Sequence, residues 1–164
     1  MDETLFFSSK SNYWCTPDYV YAPLHKEFEF QLDPCCTEQS AKCAEHFTEK
    51  EDGLKSSWGG RTAFVNPPYG RQIAKWIAKA KTEAAKTGAT CVLLIPARTD
   101  TSYWHDLIFG QCSEIRFVRG RIRFTGENGE PGNAAPFPSA IVIYRGAETQ
   151  CRIQTVEYKK GAVI

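Results

Sequence analysis

Residues 62–69 read Thr62-Ala63-Phe64-Val65-Asn66-Pro67-Pro68-Tyr69. A short apolar run ends there in a stiff polar corner, because each proline holds its own φ near about −65° and restricts the residue before it. The corner combines a side-chain amide, a backbone carbonyl held in place by the next ring, and an aromatic face. The Asn66 amide oxygen and the Pro67 carbonyl can accept the two hydrogens of an exocyclic amine, and Tyr69 can stack on the ring that carries it. The same residues also read as a Pro-Pro turn after a strand, with Asn66 starting the turn and Tyr69 in the core.

On either side of this corner the chain alternates strands with helices. Residues 71–86 carry the strongest helical period, with Ile73, Trp76, Ile77 and Ala80 at i, i+3, i+4 and i+7 and Gly88 as the stop. Residues 90–95 form a continuous apolar run ending at Pro96, as in a strand covered on both faces. Upstream, Thr16 suits the N-cap and Pro17 the first turn of a helix through Tyr19, Val20 and Leu24. Phe28-Glu29-Phe30-Gln31-Leu32 alternates as a strand that ends in Asp33-Pro34, and residues 38–47 are expected to be helical.

Downstream, residues 101–109 predict a helix, and residues 114–118, 121–124, 140–144 and 151–157 predict strands, the last at an edge. The Gly- and Pro-rich residues 126–138 are expected as a long hairpin loop. This order predicts an α/β sheet with helices on both faces and a C-terminal antiparallel hairpin. Ligands of such sheets bind beyond the carboxyl ends of the strands. Asp33-Pro34, Asn66-Pro67-Pro68-Tyr69 and Pro96-Ala97-Arg98-Thr99-Asp100 all fall at such ends.

With 164 residues, 42% of them hydrophobic, the chain can bury one core, so residues 1–164 are expected as a single domain with a loosely held segment at 1–12. A net charge of +1 announces no polybasic tail, but Arg116, Arg119, Arg121 and Arg123 lie close together. Lys75, Lys79, Lys81 and Lys86 read more simply as a solvated helix face. The seven cysteines are an odd number without disulfide spacing, and they read as reduced thiols. Cys15, Cys35, Cys36 and Cys43 lack the paired spacing of a zinc site, so no metal is expected. Leu5-Phe6-Phe7 is too short for a signal segment and no apolar run is of spanning length, so a cytoplasmic protein without membrane contact is expected.

The chain resembles the S-adenosyl-L-methionine-dependent DNA N6-adenine methyltransferases, most closely the small phage-type (Dam-like) group. The resemblance runs from Trp14-Cys15-Thr16-Pro17 to Tyr144. It rests on Leu32-Asp33-Pro34-Cys35, Ala41-Lys42-Cys43, Asp52-Gly53-Leu54, Trp58, Asn66-Pro67-Pro68-Tyr69-Gly70, Leu94-Ile95-Pro96-Ala97-Arg98-Thr99-Asp100-Thr101, Gly120-Arg121-Ile122-Arg123-Phe124 and Pro136-Phe137-Pro138-Ser139. It implies that Thr16 and Pro17 close over the methionine part of the cofactor. Asp33, Pro34 and Cys35 would form the first-strand motif beneath it, and Asp52 and Leu54 would contact its adenine. Cys35-Cys36-Thr37-Glu38 departs from the family pattern by lacking a glycine. Asp52-Gly53 also reads as a plain Asp-Gly turn.

About thirty residues between Asp33 and Asn66 are too few for two full strand-helix units. The resemblance therefore implies an abbreviated Rossmann-like methyltransferase sheet, its second and third strands shortened or missing. Glu45 and Glu49 are both candidates for the cofactor ribose. The implied reaction is direct methyl transfer to N6 of an adenine turned out of double-stranded DNA, with Asn66, Pro67, Pro68 and Tyr69 as the catalytic corner. Phe124 or Phe137 would supply a second stacking face, each equally readable as core, and Arg119, Arg121 and Arg123 would meet the DNA backbone. Three alternatives stand beside it: a glutamine amide or an RNA guanine amine as substrate, a catalytically silent nucleic-acid-binding module, and a structural α/β protein. Neither the target sequence nor the oligomeric state is encoded in any motif.

Overall fold

The computed structural model describes residues 14–161; the segment 1–12 expected to be loosely held lies outside them. The chain runs α1 (Asp18–Phe28), β1 (Leu32–Asp33), β2 (Glu45–His46), β3 (Ala63–Val65), α2 (Ile73–Thr87), β4 (Thr90–Pro96), a π-helical turn (Trp104–Ile108), β5 (Glu114–Val118), β6 (Arg123–Thr125), β7 (Pro131–Ala134), β8 (Ser139–Arg145) and β9 (Arg152–Val156). Seven strands form one mixed sheet in the order β2-β1-β3-β4-β8-β5-β9. The first four are parallel, β8 runs antiparallel to both β4 and β5, and β9 is parallel to β5 at the edge. β6 and β7 make a separate antiparallel hairpin. This is an abbreviated Rossmann-like α/β sheet.

The middle of the sheet follows from apolar content. Cys91, Val92, Leu93, Leu94 and Ile95 of β4 and Ala140, Ile141, Val142 and Ile143 of β8 are fully buried, as expected of neighbours covered on both faces. α2 buries Ile73, Trp76, Ile77, Ala80 and Ala84, one face of a 3.6-residue period. Its C-cap Gly88 adopts φ +78°, and the Gly88 N–H closes the last turn on the Ala84 carbonyl at 2.8 Å. α1 places Tyr21 edge-on to Phe64 of β3, ring centres 5.1 Å apart. Among the described residues no helix is long and apolar enough to cross a membrane.

Four local expectations change. α1 continues through Phe28, where alternation had suggested a strand, and only Leu32–Asp33 pairs; Phe28 is held under the Arg116 and Arg145 guanidinium groups, 5.4 and 5.7 Å from its ring centre. The helix expected over 38–47 is absent. There the Asp33 carboxylate accepts the Lys42 N–H at 3.0 Å, and β1 captures Glu45–His46 in a parallel ladder. Residues 34–44 thus cross from β1 to β2 without a helix, and β2 ends the sheet, so the shortening expected of this half is seen among the described residues. The long loop at 126–138 contains β7, which leaves a much tighter turn at the hairpin tip. Finally, Pro17 rather than Thr16 is the N-cap of α1, its carbonyl accepting the Val20 and Tyr21 N–H groups.

Candidate active site

The sheet register brings the candidate residues to one rim. Leu32 pairs with Ala63, so Asp33 and Phe64 point to the same face, and Asn66, two residues beyond Phe64, follows them. β1, β3 and β4 are parallel and end together at Asp33, Val65 and Pro96.

Asn66 is held from one side only. Its Nδ2 donates to the Trp14 carbonyl and, at 3.0 Å, to Thr16 Oγ1. A carbonyl accepts and never donates, so the amide orientation is set by chemistry. Oδ1 is shut off from solvent and has no hydrogen-bond partner among the described residues. A buried acceptor left unsatisfied costs about 1–3 kcal/mol, and such groups call for a ligand or a water. Oδ1 lies at a small cleft lined by Thr16, Asp33, Cys35, Lys42 and Phe64.

Trp14, whose carbonyl holds Asn66, belongs to a cluster of four aromatic rings. Tyr69 is buried and donates its hydroxyl to the Leu94 carbonyl at 3.0 Å. Burial pushes its phenol well above the ordinary value, so it remains a neutral donor. Its ring stands edge-on to Phe124 and Phe137 at 6.0 and 5.5 Å. Trp14 meets the same two rings edge-on at 5.6 and 5.3 Å. Phe124 and Phe137 are thus packed core residues that lean on Trp14 and Tyr69. Trp14 was given no role from sequence; its place directly before Cys15-Thr16-Pro17 was the available signal. Arg98, placed at the rim by its loop but given no role from sequence, lies over Phe137 with its guanidinium carbon 5.6 Å from the ring centre.

The turn without glycine bends at Cys35, whose N–H the Asp33 carboxylate accepts at 3.3 Å. Phe47 donates to the Asp33 carbonyl at 2.9 Å, and Cys36 donates to Phe47 at 3.2 Å. Pairing with Phe47 therefore continues past β1, and the chain then turns at residues 38–40, where the hydroxyls and amides of Thr37 and Ser40 bond each other. Asp33 accepts the Cys35 and Lys42 N–H groups, while burial pushes its carboxyl up to about 6. Pro34 is buried beneath this turn.

Cys35 borders both the Asn66 cleft and a second cavity of about 270 Å³. The second cavity is walled by Pro34, Phe47, Pro68 and Trp76, with Glu49 and Asp52 supplying carboxylates. Asp52 takes φ +50°, its Oδ1 accepts the Leu54 N–H at 3.2 Å, and Lys55 holds its carboxyl below the usual range. Gly53 is required by space: a Cβ there would sit 2.0 Å from the Pro34 carbonyl oxygen. Leu54 packs against the core and is not among the residues that wall the cavity. Of the two candidate glutamates, Glu45 pairs with Arg61 and Glu49 borders the cavity.

On the outer side, Arg119, Arg121 and Arg123 are exposed, while Ile122 and Phe124 between and beyond them turn inward. Arg116 leaves this group. Glu27 grips it through two bonds of 2.7 and 2.6 Å and Glu114 through one of 2.6 Å.

A family model described as DNA N-6-adenine-methyltransferase (Dam) matches residues 4–163. The chain belongs to that family, whose reaction is methylation of N6 of adenine in DNA. The matched span takes in every strand-terminal motif of this Dam-family chain. It is 28% identical over 140 residues to a DNA N-6-adenine-methyltransferase of Haemophilus phage HP1 (strain HP1c1), covering 83% of this chain and 80% of the relative. A DNA N-6-adenine-methyltransferase of Escherichia phage T1 is 25% identical over 150 residues, covering 80% of this chain and 62% of the relative. Among solved structures, protein Atu636 of Agrobacterium tumefaciens, described as a predicted O-methyltransferase, matches 79% of each chain at 10% identity and a TM-score of 0.41. The fold assignment of the Dam-family chain rests on its own strand order.

Proposed function

We propose that this chain methylates adenine N6 in double-stranded DNA through Asn66, Pro67, Pro68 and Tyr69, with S-adenosyl-L-methionine as methyl donor. The observation that carries the reading is the buried Oδ1 of Asn66, without a partner among the described residues, whose Nδ2 is already engaged. An adenine amine is a weak nucleophile because its lone pair is delocalised into the ring. Asn66 Oδ1 accepts one N6 hydrogen and the Pro67 carbonyl the other, which favours the pyramidal amine and localises the lone pair. This is positioning and electrostatic stabilisation without a covalent enzyme intermediate. The surplus N6 proton leaves to water after transfer.

The residues around Cys35 fit the proposed donor. Trp76, Phe47 and Pro68 give apolar walls, Asp52 and Glu49 give acceptors for amine and hydroxyl groups, and Asp33 and Lys42 stand at the end nearest Asn66. Pro34 lines the second cavity, Pro17 starts α1 behind the Asn66 cleft and Leu54 packs against the core next to Asp52 and Gly53. Bound there, S-adenosyl-L-methionine supplies an electrophilic methyl on positively charged sulfur. Asp33, desolvated with its carboxyl raised, gains from any cationic group brought beside it.

Turning a base out of the duplex costs a few kcal/mol. The Trp14, Tyr69, Phe124 and Phe137 rings offer stacking partners that offset it. Arg98, Arg119, Arg121 and Arg123 have no acidic partner among the described residues and suit the phosphate backbone, which makes DNA affinity salt-dependent. The phage origin of both relatives supports modification of phage DNA inside an infected cell as the biological setting. Family membership favours DNA adenine over a glutamine amide or an RNA amine, and the intact corner favours an active enzyme over a silent module.

The test is transfer of labelled methyl from S-adenosyl-L-methionine to unmethylated duplex DNA, followed by nucleoside analysis. The expected product is N6-methyldeoxyadenosine. No incorporation into DNA by a protein that still binds the donor overturns the reading.

A further inference from the structure

We propose that Thr16 is a positioning residue that acts through Asn66, locking its amide with Oδ1 toward the substrate, and is not a ligand of the methyl donor. The inference rests on the reading that Asn66 Oδ1 accepts the amine. An asparagine amide is nearly symmetric in shape, and rotation about its last bond exchanges an acceptor for a donor. The wrong orientation would offer N–H groups to an amine that itself presents N–H groups. Orientation is therefore a catalytic requirement that Asn66 cannot meet alone.

The segment at residues 14–17 supplies what is missing. The two hydrogens of Asn66 Nδ2 have two acceptors, the Trp14 carbonyl and Thr16 Oγ1. Those acceptors are themselves fixed. Thr125 donates to the Cys15 carbonyl at 3.0 Å in a β-bridge, Pro17 starts α1, and the Trp14 indole leans on Phe124 and Phe137. Thr16 is 2% exposed, and its oxygen is directed to Asn66. The helix that follows makes no use of the hydroxyl, because α1 begins without a side-chain cap. Removing the hydroxyl leaves one Nδ2 hydrogen without a partner in a buried place and leaves the Trp14 carbonyl as the one remaining hold on the amide among the described residues, so its plane is less tightly fixed.

Thr16→Val keeps the side-chain shape and removes the acceptor. The expected result is a fall in kcat of about ten- to a hundredfold, the scale of small misplacements at a reacting centre. KM for DNA and the dissociation constant of S-adenosyl-L-methionine stay within about twofold, and Thr16→Ser restores kcat. In the unliganded protein, the side-chain amide protons of Asn66, read by NMR, shift and exchange faster in Thr16→Val and return in Thr16→Ser. If Thr16→Val does not fold, Thr16→Ala carries the same comparison with Thr16→Ser.

Weakened donor binding with kcat intact at saturation would make Thr16 a donor ligand and overturn the proposal. So would equal impairment of the Val and Ser variants, which would mean packing alone, or wild-type kcat in the Val variant. An Asn66→Ala control separates the two levels. Full activity in that control removes the reading of Asn66 itself, whereas an inactive control beside an unaffected Thr16→Val removes only the role of Thr16.

Discussion

The two halves of the parallel sheet are built by different means. Across residues 63–96, β3, α2 and β4 make a full strand-helix-strand unit whose shape follows from buried apolar area; Val65, Ile77, Ala80 and the whole centre of β4 are shut off from solvent. Across residues 32–62 there are two strands of two residues each and no helix. That half is shaped by single polar contacts: Asp33 to Lys42, Thr37 to Ser40, Thr48 to Glu51, and Trp58 Nε1 to the Gly53 carbonyl. The well-packed half ends in the corner Asn66-Pro67-Pro68-Tyr69. The polar half leaves a cavity at its surface, because a crossover without a helix covers little of the sheet edge.

The contrast can be broken at several points. The largest effect is expected from Asn66→Ala at the end of β3: methyl transfer falls about 10³-fold while the unfolding curve and donor affinity stay unchanged. Full activity would show that the well-packed half does not carry the chemistry. In the same half, Ile77→Ala should cost about 2–5 kcal/mol of stability in urea unfolding and leave donor affinity of the folded protein unaltered. In the polar half, Gly53→Ala should cost about 1–3 kcal/mol by overpacking against Pro34 and should lower donor affinity as well. Equal effects of both variants on donor binding would erase the distinction between the halves.

Smaller effects sharpen the comparison. Asp52→Ala should weaken binding of S-adenosyl-L-methionine about tenfold, the loss of one hydrogen bond to a charged group, with DNA affinity unchanged. Calorimetry with each ligand decides it, and unaltered donor affinity would leave Asp52 as a turn residue only. A further effect is a pH dependence of stability. Burial raises Asp33 to about 6, against about 3.9 in an unfolded chain, so the folded state favours its protonated form. Its contribution to stability is complete below about pH 4 and is lost as pH rises through about 6. Compared with Asp33→Asn in the absence of donor, the native chain should gain stability on going from pH 6 to 4. Parallel curves for the two proteins would count against a protonating Asp33.

Legibility divided along the same line. The periods of α2, β4 and β8 are local apolar signals, and the corner at Asn66 is four adjacent residues, so both were readable in order. Residues 38–47 misled because the pull of β1 and of the Asp33 carboxylate on this segment comes from outside its own sequence. Arg116 reads as one of four basic neighbours until Glu27, 89 positions away, meets it. Glu45 and Glu49 are indistinguishable as letters; Arg61 takes one and the cavity borders the other.

By itself the sequence determined the α/β order, the rim where the motifs gather and the chemical type of the corner, because proline restriction and apolar periodicity act between near neighbours. The tertiary structure alone decided which atom of the Asn66 amide is engaged and which is left without a partner among the described residues. That choice lies in a two-fold side-chain rotation that nothing local biases, and it is set by acceptors on Trp14 and Thr16, 52 and 50 positions earlier in the chain.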